Sequence, residues 1–148
     1  MDASQFELCL GKTEDTPEVT AMLAALGVTK KLKLGSEGYV RLKLASQGLL
    51  LSFVPEDPKS SRLVFSGVQF YSDVEEGFTT FAGALPGGLT FSDSPAQARA
   101  RLGKPTEIMK DFRLDHWIAD GRQLTVRYTK PLDGIAHVLR GFPRKDRK

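Results

Sequence analysis

The sequence has few of the residues from which most catalytic and metal-binding sites are built. Among its 148 residues there is one cysteine, Cys9, and there are two histidines, His116 and His137. A single cysteine excludes an internal disulfide framework. A metal site needs clustered ligands at close spacing, which these three residues do not provide. We therefore expect no metal, no cofactor and no enzymatic activity.

Long hydrophobic runs are also missing. The first ten residues, MDASQFELCL, have neither a basic segment nor the apolar stretch of a signal peptide. No later stretch approaches the ~18 apolar residues of a membrane span. Both observations favour a cytoplasmic protein that does not enter a membrane. Cys9 lies in the alternating stretch FELCLG, where a free cysteine is usually a small buried hydrophobe.

The basic charge is concentrated at the C-terminus. The net charge is +3, and five basic residues against one acidic residue from Arg140 onward contribute +4, which leaves residues 1–139 at −1. The folded part is therefore nearly neutral. We expect residues 141–148 to form a solvated basic tail, and nucleic-acid binding through this tail is a less favoured alternative.

Two stretches follow the same helix pattern, TPEVTAMLAALG (16–27) and SPAQARARLG (94–103). Each opens with a Thr or Ser that can cap a helix and a proline at the first helical position, and each ends at a glycine. Helical spacing puts these residues on one apolar face of the first helix: Val19, Met22, Leu23 and Leu26. In the second helix, Arg99 and Arg101 are predicted to be solvated surface charges.

Alternating stretches typical of half-buried strands follow each helix. The first half contains VTKKLKLG (28–35), YVRLKLA (39–45), LLLSFV (49–54) and RLVFSGVQFY (62–71). The second half contains TEIMKDFRL (106–114), DHWIAD (115–120), RQLTVRY (122–128) and IAHVLR (135–140). Asp-Gly pairs at 120–121 and 133–134 indicate hairpins.

The predicted fold is α+β, a tandem α-β4 repeat with an antiparallel sheet of about eight strands, helices on one face and the other face open. We predict a single domain made of two repeats, about 1–85 and 86–140, because each half alone is too small to cover one face of its own sheet. The stretch GALPGGL (83–89) is the connector, since no Gly-Lys-Ser/Thr follows its glycines to make a phosphate-binding loop.

The same alternation predicts which side chains occupy the open face: Tyr39, Arg41, Lys43, Ser52, Arg113, Asp115, Trp117, Gln123, Thr125 and Arg127. Eight of them are candidates for binding a protein partner: Tyr39, Arg41, Lys43, Arg113, Asp115, Trp117, Gln123 and Arg127. Arg, Tyr and Trp dominate interface energetics, and the excess of basic side chains suits an acidic patch on the partner. For Trp117 the alternative is packing in the core.

Three carboxylates lie close together in YSDVEEGF, at Asp73, Glu75 and Glu76. Such a group could bind a divalent cation or pair with a basic partner. A solvated loop is the preferred interpretation of this stretch.

The run GLTFSDSPAQARARLGKP (88–105) resembles the helix motif of the β-lactamase inhibitor protein-like superfamily. That motif reads Gly-Leu/Met-Thr, a capping residue, a short helix and Leu-Gly-x-Pro, and these residues match it: Gly88, Leu89, Thr90, Leu102, Gly103 and Pro105. Ala98 stands where the motif usually has Val. The first helix lacks the Gly-Leu-Thr entry, and no lipobox precedes Cys9, unlike in the lipoproteins of that group.

A longer pattern looks like that of small cytoplasmic proteins encoded beside bacterial polymorphic or type VI secreted toxins. It consists of ALPGGLTF, LGKP, a strand with Trp117, LTVRY and a final Ile-x-x-Val strand. The resemblance implies an immunity protein that neutralises a cognate toxin by binding it directly. A chaperone or assembly factor of the same fold is the alternative.

Overall fold

Seven antiparallel strands form one sheet in the computed structural model of the chain, which describes residues 1–143. The strands are β1 (Val40–Leu44), β2 (Leu49–Pro55), β3 (Leu63–Tyr71), β4 (Glu107–Met109), β5 (Leu114–Ala119), β6 (Arg122–Tyr128) and β7 (Ile135–Gly141). The helices are α1 (Ala3–Glu7), α2 (Pro17–Ala25) and α3 (Pro95–Leu102). The order across the sheet is β1-β2-β3-β7-β6-β5-β4, which confirms the α+β class and the antiparallel sheet.

Helices α2 and α3 begin at the predicted caps. The Thr16 hydroxyl accepts a hydrogen bond from the Val19 amide at 3.4 Å. Ser94 and Gln97 form a capping box, in which each side chain accepts from the backbone amide of the other. Both helices start with the proline after the cap and stop at a glycine with positive φ. The capping residues therefore determine where each helix starts.

Alternate strand residues and one face of each helix meet in a single hydrophobic cluster. The predicted apolar face of α2 is confirmed, because Val19, Met22 and Leu26 are buried and Leu23 packs against the same cluster. We call the strand residues that point into this cluster the core-facing set, which includes Val40, Leu49, Leu51, Phe53, Phe65, Val68, Phe70, Leu124, Val126 and Val138. The opposite side of the sheet is the outer face.

Helix α1 was not predicted, because FELCLG has an alternating pattern. A capping box between Asp2 and Gln5 closes its first turn, and Phe6 then packs edge to face on Phe70 with ring centroids 5.6 Å apart. Cys9 follows this helix and is buried, as predicted. The capping box, the buried Phe6 ring and the ion pair between Glu7 and Arg140 hold these five residues against the core.

The sheet has seven strands where about eight were predicted, since residues 28–35 form no strand. In this stretch Leu32 is buried at 9% exposure, whereas Leu34 is 39% exposed. Alternation stabilises a strand only if one whole face can be buried. Here the alternating face buries one leucine, and the segment runs beside β1 without pairing with it.

The two halves share a local arrangement. After α2 the chain forms β1, a 3-10 turn (Ala45–Gln47), a left-handed residue at Gly48, and β2. After α3 it forms β4, a 3-10 turn (Lys110–Phe112), a left-handed residue at Arg113, and β5. The first half contributes three strands and the second half four, so descent from one duplicated α-β4 unit stays a prediction.

The predicted tail starts too early. Gly141 is the last residue of β7 and pairs with Gly67 of β3, and Pro143 is buried. Residues 141–143 therefore belong to the folded domain. The remaining tail residues, 144–148, lie outside the described part of the chain.

Replacing Gly48 by Ala should destabilise the protein more than replacing Gly121 by Ala. Both glycines have positive φ, +67° and +72°, which costs a residue with a Cβ about 1 kcal/mol. A Cβ at Gly48 would also lie 2.4 Å from the Thr79 carbonyl oxygen, whereas nothing lies within 4 Å at Gly121. We expect a further loss of about 1–3 kcal/mol for Gly48→Ala, measured by urea unfolding. Equal losses in the two variants would contradict this packing.

Candidate binding surface

The outer face is continuous across the sheet. Strand register aligns one outer-face residue from each strand in a row, which runs Lys43, Leu50, Gln69, Leu139, Thr125, His116 and Glu107. A second row contains Arg41, Ser52, Gly67, Gly141, Gln123 and Ile118. Residues far apart in sequence therefore contribute to one surface.

Six of the ten residues assigned to the open face lie on the outer face: Arg41, Lys43, Ser52, Gln123, Thr125 and Arg127. Tyr39 precedes β1 and is exposed, with the Arg41 guanidinium 4.9 Å from its ring centroid. Arg113 is not in a strand, and its Nε donates to the Tyr128 carbonyl at 3.1 Å.

The placement of Asp115 and Trp117 on the open face is wrong. Asp115 pairs with Val126 and Trp117 pairs with Leu124, so both lie on the core-facing side of β5. The outer positions of β5 are instead Leu114, His116 and Ile118. Polarity alone misplaces Asp115, because a buried carboxylate is tolerated where charged and polar partners satisfy it.

Asp115 is 1% exposed and joins α3 to the sheet. Its two oxygens accept bidentate hydrogen bonds from Arg99 at 2.9 Å each, and the Tyr128 hydroxyl donates to it at 2.8 Å. The hydrogen bond to Asp115 raises the pKa of Arg99, while burial and then Asp115 raise the pKa of Tyr128. Arg99 therefore anchors α3 through this ion pair, while its side chain remains 38% exposed at the helix surface where it was predicted.

Arg101 is likewise paired, with the buried carboxylate of Asp93 at 3.0 Å. The Thr90 amide and hydroxyl also donate to Asp93, at 3.0 Å each. Burial alone would raise the pKa of Asp93, but the bonds from Thr90 and Arg101 outweigh it and the pKa is lowered. The Gly-Leu-Thr stretch thus fixes the loop that leads into α3.

Trp117 lines a groove of about 540 Å³ between α1 and the second half of the sheet. It packs against the hydrophobic cluster, and its Nε1 donates to the Gly103 carbonyl at 3.0 Å. The ion pair between Glu7 and Arg140 lies on the same groove. The position of Trp117 therefore agrees with the alternative that its ring packs against the core.

Gln123 belongs to a polar cluster on the β5–β6 part of the outer face. Its Nε2 donates to the Thr125 hydroxyl at 2.7 Å, and that hydroxyl lies 2.8 Å from His116 Nδ1. The other ring nitrogen of His116 lies 3.2 Å from the Met109 sulfur. These side chains hold one another, so Gln123 is less available to a partner than its sequence position suggests.

A second cluster surrounds His137 on β7. The ring of Tyr71 lies 5.2 Å from His137 and stacks on Phe78 at 3.8 Å. His137 Nδ1 is 3.5 Å from a Glu75 carboxylate oxygen, and Arg127 Nε is buried without a hydrogen-bond partner in residues 1–143. The loop that carries Glu75 and Phe78 therefore covers part of the outer face.

The three carboxylates of this loop, Asp73, Glu75 and Glu76, have different surroundings. Glu75 lies near His137, whereas Asp73 and Glu76 are exposed. Within the described chain no three His, Cys, Asp or Glu side chains are arranged to hold a metal ion.

At the β1 end the outer face carries unpaired cations. Arg41 and Lys43 are exposed, and neither forms an ion pair within residues 1–143. Lys43 Nζ lies 4.9 Å from the centroid of the Phe78 ring, as Arg41 does from Tyr39. Aromatic rings thus position two charges that are free to pair with an external carboxylate.

Comparison with protein-family models, with curated proteins and with solved structures found no match to this chain. None of the helices in residues 1–143 combines the length and hydrophobicity that crossing a membrane requires. The candidate binding surface is therefore argued from the residues of this chain and not from a related protein.

Replacing Asp115 by Asn should lower the free energy of unfolding by about 2–3 kcal/mol, because it weakens three hydrogen bonds to a buried charge. Asp111→Asn is the matched control, since Asp111 is exposed, and we expect a change within about 0.5 kcal/mol. Urea unfolding measures both. A similar small effect for both variants would show that Asp115 does not anchor α3.

Acidification should destabilise the protein through His137. Burial lowers the pKa of His137, Glu75 raises it, and Arg127 lowers it, with a net downward shift. The unfolded chain, with a His pKa of about 6.5, then binds the proton more readily than the folded chain does. The contribution of neutral His137 to the free energy of unfolding is therefore fully present above about pH 6.5. As the pH is lowered from about 6.5 to about 5, this contribution falls by at most about 1.4 kcal/mol per pH unit.

Two variants isolate this effect in urea unfolding at several pH values. His137→Gln should flatten the acid-dependent loss. Glu75→Gln should steepen it, because removing the carboxylate lowers the pKa of His137 further. Identical pH slopes in the wild type and both variants would assign the acid sensitivity to other groups.

Proposed function

We propose that this protein is a non-enzymatic binding module that holds an acidic protein partner against the β1 end of its outer face. The single observation that carries the proposal is the group formed by Tyr39, Arg41 and Lys43, in which two exposed cations lie over aromatic rings and have no carboxylate partner among residues 1–143. We call this group the β1 cation patch. Much of the remaining outer face is internally bonded around Gln123 or covered by the loop that follows β3.

Electrostatics supports a role in recognition. Unpaired cations at the edge of an interface accelerate encounter with an oppositely charged partner and disfavour partners of like charge. Arginine and tyrosine are also the residue types that most often dominate binding energy. Since Arg41 is already positioned over Tyr39, less side-chain freedom is lost when it binds.

The specific function we propose is that of a cytoplasmic immunity protein that neutralises a cognate toxin by direct binding. The resemblance of residues 88–105 to the inhibitor-type helix motif supports this assignment, as does the longer pattern through Trp117. The same resemblance supports the finer architecture, a duplicated α-β unit whose helices cover one face of the sheet. Immunity-protein families share no common catalytic residues. The functional residues that we propose therefore come from this chain and are not transferred from a family.

A chaperone or assembly factor of the same fold is the second candidate. It is favoured by large apolar side chains that remain exposed in the second half, such as Ile108 and Leu132. Both line a groove of about 270 Å³ that also contains Lys110, Arg113 and Lys130. Such a surface would suit several weakly bound clients.

Co-expression with a toxin encoded beside the gene tests the proposal. The wild type should rescue growth and bind the toxin with nanomolar affinity in calorimetry. Arg41→Glu with Lys43→Glu should weaken binding by ~1000-fold, since each is expected to cost ~2 kcal/mol and ~1.4 kcal/mol corresponds to a tenfold change. The control, Lys59→Glu with Lys104→Glu, places the same charge change at other exposed positions and should retain rescue.

Absence of a complex and of rescue with every adjacent toxin would overturn the immunity function. Micromolar binding to many unrelated proteins would favour the chaperone. Full affinity in the Arg41/Lys43 variant would show that the β1 cation patch is not the binding surface.

A further inference from the structure

Strand β1 leaves one side of its backbone unpaired. It is the terminal strand of the sheet, and within residues 1–143 its backbone pairs with β2 alone. Edge strands that expose their amides and carbonyls are templates for an added strand. The edge of β1 is regular over five residues, Val40–Leu44, and its register with β2 contains no bulge there.

A groove of about 500 Å³ runs along this edge on the core side. Its inner wall is formed by the core-side residues of β1, Val40, Leu42 and Leu44, and its outer wall includes Val28 and Leu32. The outer wall belongs to the segment that was predicted as an additional strand. That segment lines the groove together with β1, and no backbone hydrogen bond joins the two in residues 1–143.

The groove is surrounded by positive charge. Lys30, Lys31 and Lys33 line its outer wall and are exposed. None of them forms an ion pair within residues 1–143. With Arg41 and Lys43, residues 28–44 contain five cations against one acidic residue, Glu37. An occupant that supplies carboxylates is therefore favoured over a neutral or basic one.

We propose that an extended acidic segment of the protein partner pairs with β1 as an eighth strand of the sheet. Alternate side chains of a strand point to opposite faces. Apolar residues of the segment would enter the groove, and its acidic residues would face the β1 cation patch. The three lysines around the groove would attract the acidic segment through its overall negative charge. Backbone pairing provides affinity, and the side-chain pattern provides specificity.

A second copy of this chain does not suit the edge. Pairing β1 with β1 would bring Arg41 and Lys43 of one copy towards the same residues of the other, and like charges opposite each other are destabilising. The cations on β1 therefore prevent self-association while favouring an acidic segment. This inference rests on the proposed function, from which it takes the protein partner and the β1 cation patch.

A synthetic peptide of about ten residues that alternates valine and glutamate tests the inference without the natural partner. Hydrogen exchange on the full chain should show slower exchange of the Val40–Leu44 amides when the peptide is added. The triple variant Lys30→Glu, Lys31→Glu, Lys33→Glu should weaken peptide binding by ~10-fold, as expected for three exposed ion pairs. The control Lys59→Glu, Lys104→Glu, Lys130→Glu should bind within ~3-fold of the wild type.

A peptide of the same composition with its valines and glutamates in two blocks should not protect the β1 amides. Equal protection by both peptides, or none by either, would overturn strand addition. If the alternating peptide protects β1 while the Arg41/Lys43 variant still binds the toxin fully, the edge site stands and the β1 cation patch is refuted as the toxin-binding surface. If that variant loses the toxin but no peptide protects β1, the proposed function stands and strand addition is refuted.

Discussion

Pairing between β3 and β7 is the interaction on which the rest of the structure depends. It joins β1-β2-β3 to β4-β5-β6 through five residue pairs, from Gly67 with Gly141 to Tyr71 with His137. The chains approach closely, since a Cβ at Gly141 would lie 2.8 Å from the Ser66 carbonyl oxygen. On the core side Phe6 packs on Phe70, and on the outer side Tyr71 stacks on Phe78. Both faces of this junction are therefore secured by aromatic packing.

Local signals in the sequence predicted most of the fold. Caps, prolines and terminal glycines located α2 and α3, because these residues satisfy or end a helix by short-range hydrogen bonds and backbone conformation. Alternation located the strands in which one face is fully buried, as in β2 at Leu49, Leu51 and Phe53. It also placed Arg41 and Lys43 correctly, since their neighbours on β1 are clearly apolar.

Two of the errors share one cause, which is that burial depends on partners distant in sequence. The polarity of Asp115 predicts an exposed residue, but hydrogen bonds from Arg99 and Tyr128 satisfy its carboxylate and allow it to be buried. The alternation of residues 28–35 predicts a strand, but Leu32 is buried, Val28 packs half-buried against the core and Leu34 is exposed. In each case the pattern gives a local preference, and tertiary contacts decide whether that preference is realised.

In the function proposed above, the β1 end of the outer face is where this protein meets its partner. The most direct measurement is a crystal structure of the chain bound to that protein partner. We expect an interface centred on Tyr39, Arg41 and Lys43, with acidic partner residues against the two cations. An interface confined to the groove at Trp117 or to the exposed side of α3, with β1 facing solvent, would contradict it.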